Sequence, residues 1–298
     1  MFEPLPLVVE APGDTASIMS AAAQAADRWR LPAPELIRVG ANGVFVCGDV
    51  ILRVGRATAP MGAAITLAQR MTAAGVRVAQ PARPDWLDLD GGLSVTAWQR
   101  IDIHPDAPVD WERVGAMVRV VHSIDPLTID HPLPFCADFP WWNVTEMLAE
   151  ADVLDAPTRD ALQADIQRHQ WWIDVARQQP PTLCHGDVHP GNVVVDGDGP
   201  VLLDWDLLCI GPPEWDHAAL WTWTARWGGE PGIYERFATG YGADVDAEMA
   251  AAIAQMRLVI AMLMRLRRAR FDPGQRDEVE RRLALWRGDP NPPMWRAQ

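Results

Sequence analysis

Residues 183–206 read LCHGDVHPGNVVVDGDGPVLLDWD, and their spacing decides how the rest of the chain is understood. Asp187 and Asn192 stand five residues apart in one loop, and a second acidic group, Asp204, follows beyond a short hairpin. Thr182 to Cys184 is a brief apolar run entering a loop with Gly186, Pro190 and Gly191. Val193 to Val195 leaves that loop as a strand, Asp196-Gly197-Asp198-Gly199 turns it, and Val201 to Leu203 returns to deliver Asp204. A lone Asp before a Gly is usually a turn or cap residue. Three base- and metal-type residues at the open end of one hairpin point to phosphoryl transfer. That chemistry needs a carboxylate to orient an acceptor hydroxyl, and an amide with a second carboxylate to hold Mg²⁺ on nucleotide phosphates.

The segment His185-Gly186-Asp187-Val188-His189-Pro190-Gly191-Asn192 resembles the H-G-D-x-x-x-x-N catalytic loop of the aminoglycoside phosphotransferase and choline kinase superfamily. Asp204-Trp205-Asp206 is similar to its D-[FW]-[DE] metal motif, and Gly211 to Asp216 resembles its G-x-P-x-x-D segment. The resemblance implies an α+β, protein-kinase-like, two-lobed fold. A small N-terminal lobe with an antiparallel sheet would span 1–99, with a hinge near 97–100, and a larger, mainly helical lobe would span 100–298. It implies Asp187 as the catalytic base or hydroxyl-orienting group, Asn192 and Asp204 as Mg²⁺ ligands, and His185 and Asp216 as supports of the loop. Asp206 would face either metal or acceptor. ATP or GTP would be the co-substrate and a small-molecule hydroxyl the acceptor: an aminoglycoside, amino sugar, sugar or amino alcohol.

The chain contains no lysine. A Walker A loop is therefore excluded, and Arg53, in the β-type run Val50 to Val54, stands where the family has its strand lysine. Arg grips phosphates with a larger, differently shaped fork. The glutamate that partners that lysine in the family also has no counterpart, because no acid occurs between Val50 and Pro84. A nucleotide-binding pseudokinase or regulator with little catalysis is accordingly the competing reading. A protein kinase fits less well: the loop is H-G-D rather than H-R-D, D-W-D replaces D-F-G, and no A-P-E segment follows.

Alanine-rich Thr15 to Trp29, with Asp14 as an N-cap, predicts a leading helix. Short strands follow at Leu36–Val39, Val44–Cys47 and Val50–Val54. The turn that includes Asn42 and Gly43 takes the place of the family's nucleotide-covering loop, and an ordinary hairpin turn reads the same way. Leu93 to Ala97 is a further strand, and Trp98 and Gln99 after it take the place of the adenine-binding hinge. Helical spacing extends over Pro60–Ala74, Asp110–Ile124, Trp142–Glu150, Thr158–Arg177, Glu214–Trp227, Pro231–Tyr241, Asp246–Arg270 and Gly274–Arg287. His122, near the end of one of these helices, reads as a structural histidine.

Composition bounds the rest. A net charge of −14 with no basic stripe argues against nucleic acid; it serves solubility and would also attract a cationic acceptor. Four scattered cysteines, Cys47, Cys136, Cys184 and Cys209, imply neither zinc nor a disulfide framework. The N-terminus has no signal-peptide pattern, and no sequence run approaches the roughly 18 apolar residues that span a bilayer. The expectation is a soluble cytoplasmic enzyme without a membrane partner. Among 15 tryptophans, Trp142 and Trp223 are the candidates for acceptor-pocket walls, since indole faces stack on sugars or hold cations.

Overall fold

Ile18, Ala21, Ala22, Ala25 and Trp29 recur at helical spacing and form the buried stripe of α1 (Thr15–Trp29). The computed structural model describes residues 15–40, 42–56 and 62–296, so the expected Asp14 cap and the start of the Pro60 helix lie outside the described residues. α1 is followed by β1 (Glu35–Val39), β2 (Gly43–Cys47), β3 (Val50–Arg56), α2 (Ala63–Ala73), β4 (Leu87–Asp88) and β5 (Leu93–Gln99). The five strands make one antiparallel sheet in the order β1-β2-β3-β5-β4. Their alternation sends Phe45, Cys47, Leu52, Val54, Val95 and Ala97 into a core shared with α1. Arg53 lies opposite Val44 on one side and Thr96 on the other, which puts that row on the sheet face away from α1.

From Asp110 onward helices dominate. Asp110 caps α3 (Trp111–His122) by accepting from Arg113 N at 3.0 Å. Then come α4 (Val144–Ala149), α5 (Ala156–His169), α6 (Trp172–Ala176) and β6 (Thr182–Cys184). The hairpin β7 (Val193–Asp196) and β8 (Gly199–Leu202) is next, and β9 (Cys209–Gly211) pairs antiparallel with β6. The chain ends with α7 (Glu214–Trp221), α8 (Trp223–Trp227), α9 (Ile233–Tyr241), α10 (Ala247–Ala269) and α11 (Arg276–Leu283). Two expected helices are each broken in two, at Gln170–Trp171 and at Thr222, and Pro140–Trp142 is a 3₁₀ turn that keeps Trp142 out of α4.

The chain divides into two compact units. The first runs to Val109, past the boundary expected near 99–100, and takes in Ile129–Pro132 and Val193–Leu203. The β7–β8 hairpin belongs to it because Val78 bridges Leu202 and Arg77 reaches both carboxylate oxygens of Asp196 at 2.8 Å. The second unit holds Asp110–Thr128, Leu133–Asn192 and the chain from Asp204 on. At its centre α10 packs against α4, α5, α7 and α11. By length and composition α10 could cross a bilayer, contrary to the expectation that no segment would, but 72% of its most apolar window is buried inside the fold. It is a core helix. All four cysteines are buried free thiols.

His217 on α7 is wholly buried, with Nδ1 3.4 Å from Tyr234 Oη and its ring edge-on to Phe237 and Tyr241. Burial, aided by neighbouring His122, pushes its pKa down from 6.5 to about 4. Between those values the unfolded chain binds a proton that the folded chain refuses, so stability falls as pH drops through that window. Wild type should lose about 2 kcal/mol more than His217→Phe between pH 7.5 and pH 5. Denaturant unfolding at the two pH values measures this, and equal losses in both proteins would refute it.

Candidate active site

Gly186 and Asp187 sit in a loop whose backbone is fixed from below. Gly186 has φ +96°, and a Cβ there would lie 2.0 Å from the Leu207 carbonyl oxygen, so only glycine fits. Asp216, fully buried on α7, accepts from His185 N and Gly186 N, both at 2.8 Å. Its Oδ2 also meets His122 Nε2 at 3.0 Å, and His122 Nδ1 meets Tyr241 Oη at 2.9 Å. Burial opposes ionisation of Asp216, but His122 and the Gly186 amide outweigh it and keep the carboxyl below its ordinary range. His185 is buried and packs its ring on Trp205 at 4.3 Å between centroids. His122, Cys184 and Asp216 bring potential ligand atoms within 4.8 Å of one another, yet both Asp216 oxygens already accept N–H donors, so the cluster reads as structural.

Above this base the Asp187 carboxylate is held from three directions. Oδ1 accepts from Arg257 Nη2 at 2.7 Å. Oδ2 lies 3.3 Å from His189 Nε2 and accepts from Asn192 Nδ2 at 3.2 Å. Gly191 N donates to His189 Nδ1 at 3.0 Å, which puts the ring proton of neutral His189 on Nε2, facing Asp187. Partial burial favours the neutral acid, but His189 and then Arg257 overcome it and hold the carboxyl well below the usual carboxylate range. Asn192 spends its amide nitrogen on Asp187 O, at 2.9 Å, and on Oδ2. Among the described residues its carbonyl oxygen has no donor.

Asp204 leaves the same end of the β7–β8 hairpin that Asn192 enters, since Val193 is paired with Leu202. It adopts φ +60°, a left-handed conformation uncommon outside glycine. Asp206 is half-buried in the 3₁₀ turn that follows. Trp223 stacks on His189 with ring centroids 5.1 Å apart and on Trp227 at 5.4 Å, which makes a three-ring ladder leading away from Asp187. Trp142, the other expected pocket wall, is instead buried, with centroids 4.7 Å from Trp215 and 5.8 Å from Trp172. This is a packing role.

The residues expected at the nucleotide lie in the first unit. Arg53 and Trp98 are half-buried on the sheet, and Trp98 Nε1 donates to Thr96 Oγ1 at 2.9 Å. Asn42 lies over Gly55, and Gly43 is needed for packing, because a Cβ there would lie 2.3 Å from Ile18 Cγ2. Gln99 N donates to Gln80 O at 2.8 Å and Arg100 N to Asp49 O at 2.9 Å, which commits both amides within the sheet unit.

The profile described as "Phosphotransferase enzyme family" matches residues 36–257, more than half of the chain. The chain belongs to that family. It is a phosphotransferase. No curated protein sequence matches the chain. Among solved structures, an aminoglycoside 2′-phosphotransferase in complex with GDP superposes with a TM-score of 0.67 at 16% identity, over 93% of this chain and 97% of the other. A macrolide 2′-phosphotransferase from Brachybacterium faecium gives 0.58 at 18%, over 93% and 100%. A choline/ethanolamine kinase family protein from Mesorhizobium loti gives 0.57 at 20%, over 85% and 86%. At these identities the likeness establishes the fold, which is α+β and protein-kinase-like.

Sequence reading assigned no role to Arg257 or His189. Arg257 is the only charged residue between Glu248 and Arg265, in a helix otherwise apolar there. A charge so placed needs a partner, and that was the available signal. The signal for His189 was its place two residues after Asp187, within reach of the same carboxylate.

Proposed function

We propose that this phosphotransferase moves the γ-phosphoryl group of ATP or GTP directly to the hydroxyl of a cyclic or cationic small molecule, with Asp187 orienting that hydroxyl. The observation that carries the reading is the state of the Asp187 carboxylate. Arg257 takes one lone pair of Oδ1, His189 and Asn192 take Oδ2, and the second lone pair of Oδ1 is left for an incoming hydroxyl. Positioning of this kind, with fixed charges at the reacting centre, supplies most of the rate in phosphoryl transfer.

Asn192 and Asp204 fit Mg²⁺: both offer hard oxygen donors, and the Asn192 carbonyl oxygen is turned free by its amide bonds to Asp187. When bound, the ion would neutralise charge on the phosphate oxygens. The left-handed backbone at Asp204 supports the assignment, since such outliers gather at functional positions.

Arg53 would contact the nucleotide phosphates. Arg53→Ala should raise the nucleotide KM about tenfold, the cost of a charge-assisted contact, with kcat little changed. An unaltered nucleotide KM in steady-state assays would remove Arg53 from the site. No acid occurs on α2, and with arginine in place of the family's strand lysine this favours a weakly catalytic nucleotide binder as the second reading.

The net charge of −14 supports a cationic acceptor; the faces of Trp223 are taken by His189 and Trp227, so an acceptor ring would meet the ladder at its edges. Solved structures of this fold in complex with spectinomycin and with kanamycin support a small-molecule acceptor. Use of a nucleoside triphosphate and four free thiols fit a cytoplasmic enzyme. A coupled ADP-release assay with Mg-ATP and Mg-GTP against aminoglycosides, amino sugars, sugars, choline and ethanolamine tests the proposal. Acceptor-dependent release supports it, whereas nucleotide-induced thermal stabilisation with no turnover on any acceptor would favour the second reading.

A further inference from the structure

α10 is apolar through its middle, and Met256 and Leu258 are buried on either side of Arg257. An arginine at such a position has to be satisfied within the protein. Arg257 finds its partners in the loop and the helix that build the site. Nη2 donates to Asp187 Oδ1 at 2.7 Å and Nη1 to Gly186 O at 3.1 Å. Its Cζ stands 5.2 Å from the centre of the Trp215 ring. Trp215 is itself wedged by Trp142 and Trp172, with centroids at 4.7 and 5.8 Å. A planar fork that grips a backbone carbonyl and the next residue's carboxylate at once fixes the torsion between them, and the packed indoles fix the fork.

We propose that Arg257 is a positioning residue for phosphoryl transfer: from α10 it clamps Gly186 and Asp187 together, so that Asp187 Oδ1 presents one remaining lone pair to the acceptor hydroxyl. The inference rests on the reading of Asp187 as the acceptor-orienting group. Without the clamp the carboxylate is tethered only through Oδ2, by the longer contacts to His189 and Asn192, and can swing about Cα–Cβ. A misplacement of about 1 Å at a reacting group costs on the order of 100-fold in rate. Lysine carries the same charge but no fork, so it cannot make both contacts in one plane.

The test compares wild type, Arg257→Lys and Arg257→Ala, each with and without millimolar guanidinium, using the acceptor that supports ADP release. Arg257→Ala should lose about 100-fold in kcat with nucleotide KM within about twofold, and guanidinium should restore about tenfold; Arg257→Lys should remain at least about tenfold below wild type. A kcat for Arg257→Ala within about threefold of wild type, or a loss that guanidinium leaves unchanged, overturns the proposal. If Arg257→Ala does not fold, Arg257→Lys carries the same comparison, since its stem still covers Trp215. If wild type turns over no acceptor, the phosphotransfer reading has failed by itself, and a thermal double-mutant cycle of Arg257→Ala with Asp187→Asn then reads the clamp alone. Non-additive melting shifts support the clamp, and additive shifts dismiss it.

Discussion

Asp187→Asn should lower kcat about 1,000-fold while nucleotide KM stays within about twofold of wild type. The amide is nearly the same size as the carboxylate, so the loop keeps its Gly186 geometry and its tie to Asp216. The acceptor inventory is what changes. Every neighbour of the carboxylate is a donor: Arg257 at Oδ1, and His189 and Asn192 at Oδ2. An amide can turn its oxygen to only one side, and its NH₂ then confronts a donor on the other. The group that should orient the acceptor hydroxyl therefore loses both its charge and its fixed direction. Because the native carboxyl is held well below its ordinary pKa, it is a weak base at neutral pH, and its part in the reaction is orientation more than proton removal. Acceptor-dependent ADP release measures the effect, with circular dichroism to confirm folding. Activity within about tenfold of wild type would sink the role assigned to Asp187, given the 10²–10⁴-fold usual for such groups.

How much of this was legible in the sequence depended on the range of the forces involved. The strands β2, β3, β7 and β8 and the turns between them were readable because alternation and Gly-Asp turns act over a few residues. α1 was readable because its apolar repeat is unbroken. Asp187 and Asn192 met as expected, since five residues of loop leave them little else to do. The break between α7 and α8 was not readable: no Pro or Gly marks Thr222, whose φ of −103° falls outside the helix while Trp223 stacks on His189. Tertiary packing there overrides a helical pattern that continues in the sequence. Strand β9 is three residues long and exists through its pairing with β6. Arg257 lies 70 residues from Asp187, and no local rule joins them. The packing of Trp142 was not readable for a related reason: its partners Trp172 and Trp215 are distant in sequence, and they take it into the core.

Asp216 carries the largest stability effect. Its side chain is completely buried and accepts three donors: Gly186 N at 2.8 Å on Oδ1, with His185 N at 2.8 Å and His122 Nε2 at 3.0 Å on Oδ2. Asp216→Ala strands all three in a site that water does not reach. Removing one member of a buried charged network costs about 3–5 kcal/mol, because the remaining groups keep their desolvation penalty and lose their partner. Asp216→Asn should cost less, since one carboxamide oxygen still serves one backbone amide, but its NH₂ then opposes a donor at the other position. The order wild type, Asn, Ala should therefore hold in denaturant unfolding at neutral pH. The wild-type advantage should also shrink in acid: the folded pKa of Asp216 is depressed, so its stabilisation is present at neutral pH and is lost as pH falls through the carboxylate range. Activity should follow the same order, since the two amides Asp216 holds belong to the residues that aim Asp187. Equal unfolding free energies for wild type and Asp216→Ala would mean that the loop is held by other contacts, and would also remove the structural reason for the fixed position of Asp187.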